Sequence, residues 1–463
     1  MNLDDFTLAG IAADYRNGAL SPRQVIEQCQ ANYARHARSL DAYRYWAGPG
    51  LAAQADLAAR AFECGHDTGP LQGMPCSVKD IYGVAGMDIF AGSPRALPDP
   101  WQRPGPMVRR LSRELAIVTG KTHTVEFAYG GLGTNPHWPV PINPWDVAAE
   151  RVPGGSSAGA GVSLATGSAL VALGTDTAGS VRVPASMTGQ VGLKTTHGRW
   201  SLEGIVPLSP SLDTAGLLTR TVADMTYAFG AFDGTPVPER AEVAGLRIGV
   251  PDGFFWDDCD AGVAETVTCA LEELEQAGAR RQTLELGGVE AAFACFCEGG
   301  LVPPELHTFL SRELPEWIDT LDPIVRRRLD AGADLSATEY LARKQRFGRL
   351  GAEAADRLAS VDMLAVPTVA VTPPRRADVV AGDDYARCNV RALRNTCIAN
   401  LFGLCALTLP VGRDRAGLPV GLMLMARPWQ EPALLAAAGA IERCLGSCRE
   451  RLGTPPRLVG AAG

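Results

Sequence analysis

The stretch between residues 150 and 190 limits what this chain can become more than any other part of it. Pro153-Gly154-Gly155-Ser156-Ser157-Ala158-Gly159-Ala160-Gly161 is a run of glycine, serine and alanine leading into an apolar helical pattern. Thirteen residues past it comes Gly174-Thr175-Asp176-Thr177-Ala178-Gly179-Ser180-Val181-Arg182-Val183-Pro184-Ala185. Side chains this small let backbone amides come close to a ligand, as an oxyanion or phosphate site requires. Both stretches also set hydroxyls beside those amides.

Three chemistries could use such a pattern. A phosphate-binding loop needs Gly, four residues, then Gly-Lys-Ser/Thr; Gly174 and Gly179 have the spacing, but Ser180 stands where lysine is required. A hydrolase elbow of the form Gly-x-Ser-x-Gly fits Gly155 to Gly159, with Ser157 as nucleophile. That reading needs a downstream Asp and then His, and His197 and His307 are the candidates, neither in a telling context. The third is a serine activated by lysine. Only Lys79, Lys121, Lys194 and Lys344 are lysines among the 43 basic residues, so arginine holds the generic surface role. Lys79 closes the strand-like Met74–Val78 and precedes Asp80. A buried strand end would lower its pKa and make it a usable base. The plain alternative is an ion pair between Lys79 and Asp80.

Composition narrows the classes. The net charge of −8 lacks the basic footprint of a general nucleic-acid binder. No stretch approaches the 18 or more consecutive apolar residues of a membrane span. The start, Met1-Asn2-Leu3-Asp4-Asp5, carries acids where a signal peptide needs cations. Twelve cysteines are scattered, and the close pairs Cys295/Cys297 and Cys444/Cys448 lack a nearby His for a zinc site. The expectation is a cytoplasmic protein with reduced thiols, no bound metal, and neither membrane nor nucleic acid as partner.

Along the chain, residues 1–65 read as helices: Ser21-Pro22-Arg23-Gln24 combines a cap serine, proline at the first helical position and a capping-box glutamine, and 51–63 is Ala-rich. Strand-like runs follow at Met74–Val78, Ala116–Thr119 and Leu170–Leu173, with helices at Met107–Leu115 and Val162–Thr166. The section 232–335 is less regular, with a strand at Leu246–Val250 and a helix over 262–277. A helix near 337–358 precedes strands at Met363–Val366, Ala406–Leu409 and Val420–Met425 and a last helix over 431–445. This alternation predicts one α/β domain over 1–463, with a catalytic core at 66–231 and a C-terminal core at 336–463. The sheet is expected to be large and mixed, with helices on both faces and the site at one sheet edge.

The ordered set Ser77-Val78-Lys79-Asp80, Pro153 to Ser157 and Gly174 to Pro184 resembles the amidase signature family. Supporting matches are Gly120-Lys121-Thr122 with Glu126-Phe127-Ala128, Gly192-Leu193-Lys194, Ser211-Leu212-Asp213-Thr214-Ala215-Gly216 and Gly417 to Gly421. They extend the likeness over roughly residues 5–445. The resemblance implies Ser180 as nucleophile, Lys79 as base, and Ser156, after a cis Gly155–Ser156 peptide, as relay. It also implies an oxyanion hole from the amides of Thr177, Ala178, Gly179 and Ser180, with no metal or cofactor. Acyl transfer from a small amide or carbamate follows. Ala158, Ala160 and Ala178 replace more usual glycines, and Ala178 demands an unstrained backbone. Ser157 is expected as a hydrogen-bonding neighbour of Lys79, and Asp176 and Arg182 as a bracing pair. His123 and His137 are expected to make ordinary polar contacts. Phe127, Tyr129, Trp138 and Trp145 are candidates to line the mouth and lean the substrate towards an aryl or apolar acyl group. Two alternatives remain open besides an idle binding protein of the same fold. One is the glutaminase-type component of a tRNA-dependent amidotransferase, although Lys194-Thr195-Thr196-His197-Gly198-Arg199-Trp200-Ser201 departs from that group's pattern. The other is the His-dependent esterase built on Ser157. A homodimer is a reasonable expectation.

Overall fold

The computed structural model describes residues 2–459 apart from 241, 333 and 381. Among these, eleven strands form a single mixed sheet. They are β1 (Tyr43–Trp46), β2 (Pro75–Lys79), β3 (Ile117–Thr122), β4 (Val171–Asp176), β5 (Val191–Lys194), β6 (Thr214–Thr219), β7 (Arg247–Val250), β8 (Arg280–Thr283), β9 (Met363–Pro367), β10 (Cys405–Arg413) and β11 (Pro419–Ala426). Their spatial order is β1-β3-β2-β4-β6-β5-β10-β11-β9-β7-β8. β2 runs parallel to β3 and β4, β7 runs parallel to β8 and β9, and the other neighbours are antiparallel.

The inner strands β2, β4, β9 and β11 are buried along their whole length, which is why they read as short continuous apolar runs. Alternate residues of β4 enter different cores. Val171 and Leu173 join the main core, whereas Ala172 packs with Ala160, Leu164, Val181, Ala185 and Leu218 in a second cluster. That second cluster is where the helices Ala158–Ala165 and Arg182–Thr188 cover the sheet. Gly159 lets the first of these helices approach the backbone at Ala42: a Cβ there would lie 1.9 Å from the Ala42 carbonyl oxygen. Ser21 forms the expected capping box with Gln24 at the start of the helix Pro22–Asn32. No helix among the described residues is long and apolar enough to cross a membrane.

Four features differ from the sequence expectation. The first 65 residues are not all helical, because Tyr43–Trp46 is a strand that pairs with β3; its aromatic residues suit a pleated surface, and Trp46 stacks on Tyr33 at 3.9 Å between ring centroids. The helix expected from Val162 begins at Ala158, since alanine and glycine carry no apolar periodicity. Strands β5 and β6 were not expected, their patterns being short and interrupted by Gly192 and Gly216. Within the section 232–335 the structure adds the helices Val289–Cys297, Val302–Glu313 and Pro323–Asp330 to the expected one, and β7 joins the section to β9 in the common sheet.

The position of the site also differs from expectation. It does not lie on an outer strand. Lys79 and Asp176 end β2 and β4, the third and fourth strands from one side. The crevice beyond the carboxyl ends of parallel neighbours is where open α/β sheets bind ligands.

Candidate active site

Of the four lysines, Lys79, Lys121 and Lys194 are buried and Lys344 is exposed. Lys79 makes no ion pair with Asp80 among the described residues. Asp80 faces the other way, 2.7 Å from Arg44 Nε and 3.1 Å from Lys121 Nζ. Lys79 Nζ instead donates to Ser156 Oγ at 2.8 Å and to Thr175 Oγ1 at 2.9 Å. Burial drives its pKa down, against the attraction of Asp213 and Asp176, to about 7. A neutral amine is therefore well populated at neutral pH.

The Gly155–Ser156 peptide is cis. The loop that carries it is held by Gly155 N–H donating to the Gly131 carbonyl at 2.8 Å and Ser157 N–H donating to the Ser180 carbonyl at 3.2 Å. The structure thus sets the 155–157 loop against the 177–180 loop. Among the described residues Ser157 does not make the expected hydrogen bond with Lys79; its hydroxyl is fully buried and directed at the Thr175 carbonyl at 3.5 Å. Gly174 leaves the room for it, since a Cβ there would lie 2.9 Å from Ser157 Oγ. Ser180, in contrast, opens onto a cavity of about 410 Å³ shared with Thr177, Ala178, Tyr129, Leu208 and Leu393.

The 177–180 loop is shaped from beneath by Asp176. Its carboxylate accepts from Gly179 N at 2.8 Å, Val181 N at 3.1 Å, Arg182 Nε at 3.0 Å and Asn400 Nδ2 at 3.0 Å. Burial pushes this carboxyl up, but the Arg182 charge and hydrogen bonds outweigh it and hold it at about 2. This leaves the four amides expected to form an oxyanion hole in two different states. Gly179 N–H is bound to Asp176, whereas the amides of Thr177, Ala178 and Ser180 have no acceptor among the described residues. Gly179 has φ +138°, and a Cβ there would lie 2.2 Å from Thr396 Oγ1, so only glycine fits. Ala178 is not among the described residues with positive φ, consistent with the unstrained backbone its side chain demands. Its carbonyl accepts from Thr396 Oγ1 at 2.7 Å.

Asp176 and Arg182 are both fully buried. Asp176→Asn leaves the guanidinium without its countercharge, and the expected loss is about 3–5 kcal/mol of stability, read by urea unfolding. A loss below about 1 kcal/mol would show that Asn400 and the backbone suffice to hold the loop.

The other candidates sort plainly. Of the four aromatic candidates only Tyr129 is among the described residues lining the cavity, where Phe296 joins it. Phe127 is buried in the main core, Trp138 Nε1 donates to the Ser93 carbonyl, and Trp145 Nε1 donates to the Thr188 carbonyl. Ring size gave no way to tell these packing roles from a lining role. His123 is buried, and burial with the nearby Arg44 lowers its pKa to about 3. His137 faces Glu126 at 3.2 Å. His197 is exposed beside the Pro210 carbonyl and His307 is half-buried beside Ser311. No histidine hydrogen-bonds Ser157 or Ser180 among the described residues.

Sequence reasoning gave no role to two groups that hold the site. Thr175 accepts from Lys79, and its place within the 174–180 motif was the available signal. Asp213 accepts from Thr177 Oγ1 at 2.5 Å and from the amides of Leu208 and Ser209, tying the 208–213 loop to the 177–180 loop. Burial raises its pKa to about 6, against the Thr177 hydrogen bond.

Comparison with known proteins agrees with this geometry. The Amidase family model matches residues 24–435. The chain is 52% identical over 459 residues to the 2-amino-5-chloromuconic acid deaminase of Comamonas testosteroni, covering 98% of this chain and 99% of that protein. It is 35% identical over 485 residues to an amidase of Pseudomonas putida, covering 99% of each chain. Among solved structures, the crystal structure of an amidase superposes with a TM-score of 0.86 at 31% identity, covering 95% of this chain and all of that one. A match of this extent, in sequence and in fold, makes the chain a member of the amidase family and a hydrolase of carbon–nitrogen bonds.

Proposed function

We propose that the chain hydrolyses the carbon–nitrogen bond of a small amide through an acyl-enzyme on Ser180. The observation that carries this reading is Lys79, a wholly buried amine with a pKa near 7, hydrogen-bonded to Ser156 beside a cavity that exposes Ser180 and three free amides. In this reading Ser180 Oγ attacks the carbonyl carbon and its proton passes to Ser156, whose own proton moves to neutral Lys79. The oxyanion is met by the amides of Thr177, Ala178 and Ser180, donors that need no reorganisation. The carbon–nitrogen bond then breaks, and the leaving nitrogen takes a proton back through Ser156. Water, deprotonated along the same path, releases the acid. The hydroxyl relay closes when substrate seats Ser180.

The walls from Ala128, Leu208, Val302, Val390 and Leu393 are apolar and suit an aryl or apolar acyl amide, an anilide or a carbamate. A second reading is favoured by the 52% identity to a deaminase: release of ammonia from an amino-substituted muconic acid. Both need a nucleophile, a proton relay and an apolar slot. No histidine among the described residues hydrogen-bonds Ser157, so the Ser157 esterase lacks that support.

The test is amine release from primary amides, anilides, carbamates, glutamine and an aminomuconic acid, with hydroxylamine competing against water. The expected result is turnover of at least one amide or carbamate with hydroxamate formation, at a hydroxamate-to-acid ratio that depends only on the acyl group. Ammonia from the aminomuconic acid alone, without hydroxamate, would favour the second reading. Turnover of glutamine alone, and only with the partner chains of a tRNA-dependent amidotransferase, would replace both.

A further inference from the structure

Arg326-Arg327-Arg328 is a run of three consecutive arginines on the helix Pro323–Asp330. The structure separates its members. Arg326 Nε pairs with Asp330 at 2.9 Å, and Arg327 lies 3.5 Å from Asp383. Arg328 turns inwards, half-buried, and lines the cavity that contains Ser180. Its guanidinium carbon sits 3.7 Å from the centre of the Tyr129 ring, and Nη1 donates to the Tyr129 carbonyl at 2.7 Å. These two contacts fix the plane of the guanidinium, yet no carboxylate among the described residues lies within ion-pair distance of it. The one acid at the cavity wall, Glu298, faces Arg343 at 3.5 Å.

A second donor lines the same cavity. Asn389 is buried, and Gly131 N–H donates to its Oδ1 at 2.7 Å. This bond fixes the amide orientation and leaves Nδ2 without an acceptor among the described residues. A half-buried cation and a free amide N–H therefore line a cavity that is otherwise mainly apolar.

We propose that Arg328, assisted by Asn389, is a carboxylate subsite, so that the substrate is a short acid whose apolar body links a carboxylate to the reacting carbon–nitrogen bond. This rests on Ser180 as the reacting centre and narrows the substrate class of that site. An arginine held flat and ordered loses little freedom on binding a carboxylate, and partial burial reduces competition from water. The Tyr129 ring beneath it strengthens the positioning. Arg328 is thus a specificity residue, not part of the proton path.

Two measurements test the subsite and separate it from the proposed reaction. In the first, Ser180→Ala protein is titrated calorimetrically with hexa-2,4-dienedioate and with its dimethyl ester. The dicarboxylate is expected to bind about 10–100-fold more tightly, and Arg328→Gln in the same background is expected to abolish the preference. In the second, kcat/KM is compared for the monoamide of that diacid and its methyl ester. Arg328→Gln is expected to raise KM for the acid about 10–100-fold, to change the ester by less than about 3-fold, and Arg328→Lys to restore part of the loss. Equal binding of diacid and ester by the Arg328-containing protein would overturn the subsite. So would an equal loss on both substrates in Arg328→Gln, which would make Arg328 a support for Tyr129. Preferential binding of the diacid with no turnover of either amide would leave the subsite standing and remove the amide reading instead.

Discussion

Ser180→Ala is expected to lower kcat by about 10⁴-fold or more on whichever amide the protein turns over, with KM little changed. The side chain lost is small and lines a cavity, so the fold should hold and the substrate should still bind. The comparison that gives the result meaning is Ser157→Ala. Ser157 Oγ is buried away from the cavity, and its replacement should cost far less in kcat, with some loss of stability from the empty contact to Thr175. Hydroxylamine trapping should yield hydroxamate with the wild type and with Ser157→Ala, but none with Ser180→Ala. Activity that survived in Ser180→Ala and vanished in Ser157→Ala would reverse the assignment of the nucleophile.

Lys79→Met carries the second largest effect. A general base contributes about 10²–10⁴ in rate, and a loss in that range is expected here. In the wild type, kcat/KM should fall with a slope of one as pH drops below about 7, because protonated Lys79 cannot accept from Ser156. The Met variant should lose that limb. On stability the substitution acts in the opposite sense to its effect on rate. The folded pKa of about 7 lies below the ordinary value of 10.5, so between these values the unfolded chain holds a proton that the folded chain lacks. Wild-type stability therefore gains from this group as pH rises through that window, and below pH 7 the full penalty of a buried ammonium is present. Lys79→Met removes the penalty. Its Tm relative to wild type should be higher by roughly 2–5 °C at pH 6, and the difference should shrink by pH 9. A pH profile that kept its acid limb in the Met variant would assign the limb to another group, Asp213 being the first to examine.

The parts of this protein that were legible before folding share one property: their meaning is local. The capping box at Ser21 and Gln24 and the buried strands at Met363 and Val420 each depend on neighbours a few residues away. Short strands escaped notice where local signals were mixed, as in β5 and β6, whose pairing comes from partners such as β4 and β10. The aromatic candidates show the same limit. Phe127, Tyr129 and Trp138 have similar apolar rings close together in sequence, but only the backbone path decides that Tyr129 lines the cavity and Phe127 enters the core.

What the sequence alone determined is the chemistry available: a lysine at the end of a buried strand, a glycine-rich loop bearing paired serines, and a second loop with Asp176 and Ser180 flanking small residues. Spacing and residue type suffice there, because glycine and alanine are required wherever backbones approach closely. Tertiary structure alone decided the direction of each group. It turned Asp80 towards Lys121 and Arg44 and left Lys79 for Ser156. It bound Gly179 N–H to Asp176 and left three other amides free. It also paired two of three consecutive arginines with acids and turned the third into the cavity. Contacts between residues far apart in the chain set those directions, since a buried polar group takes whichever partner the fold brings within reach.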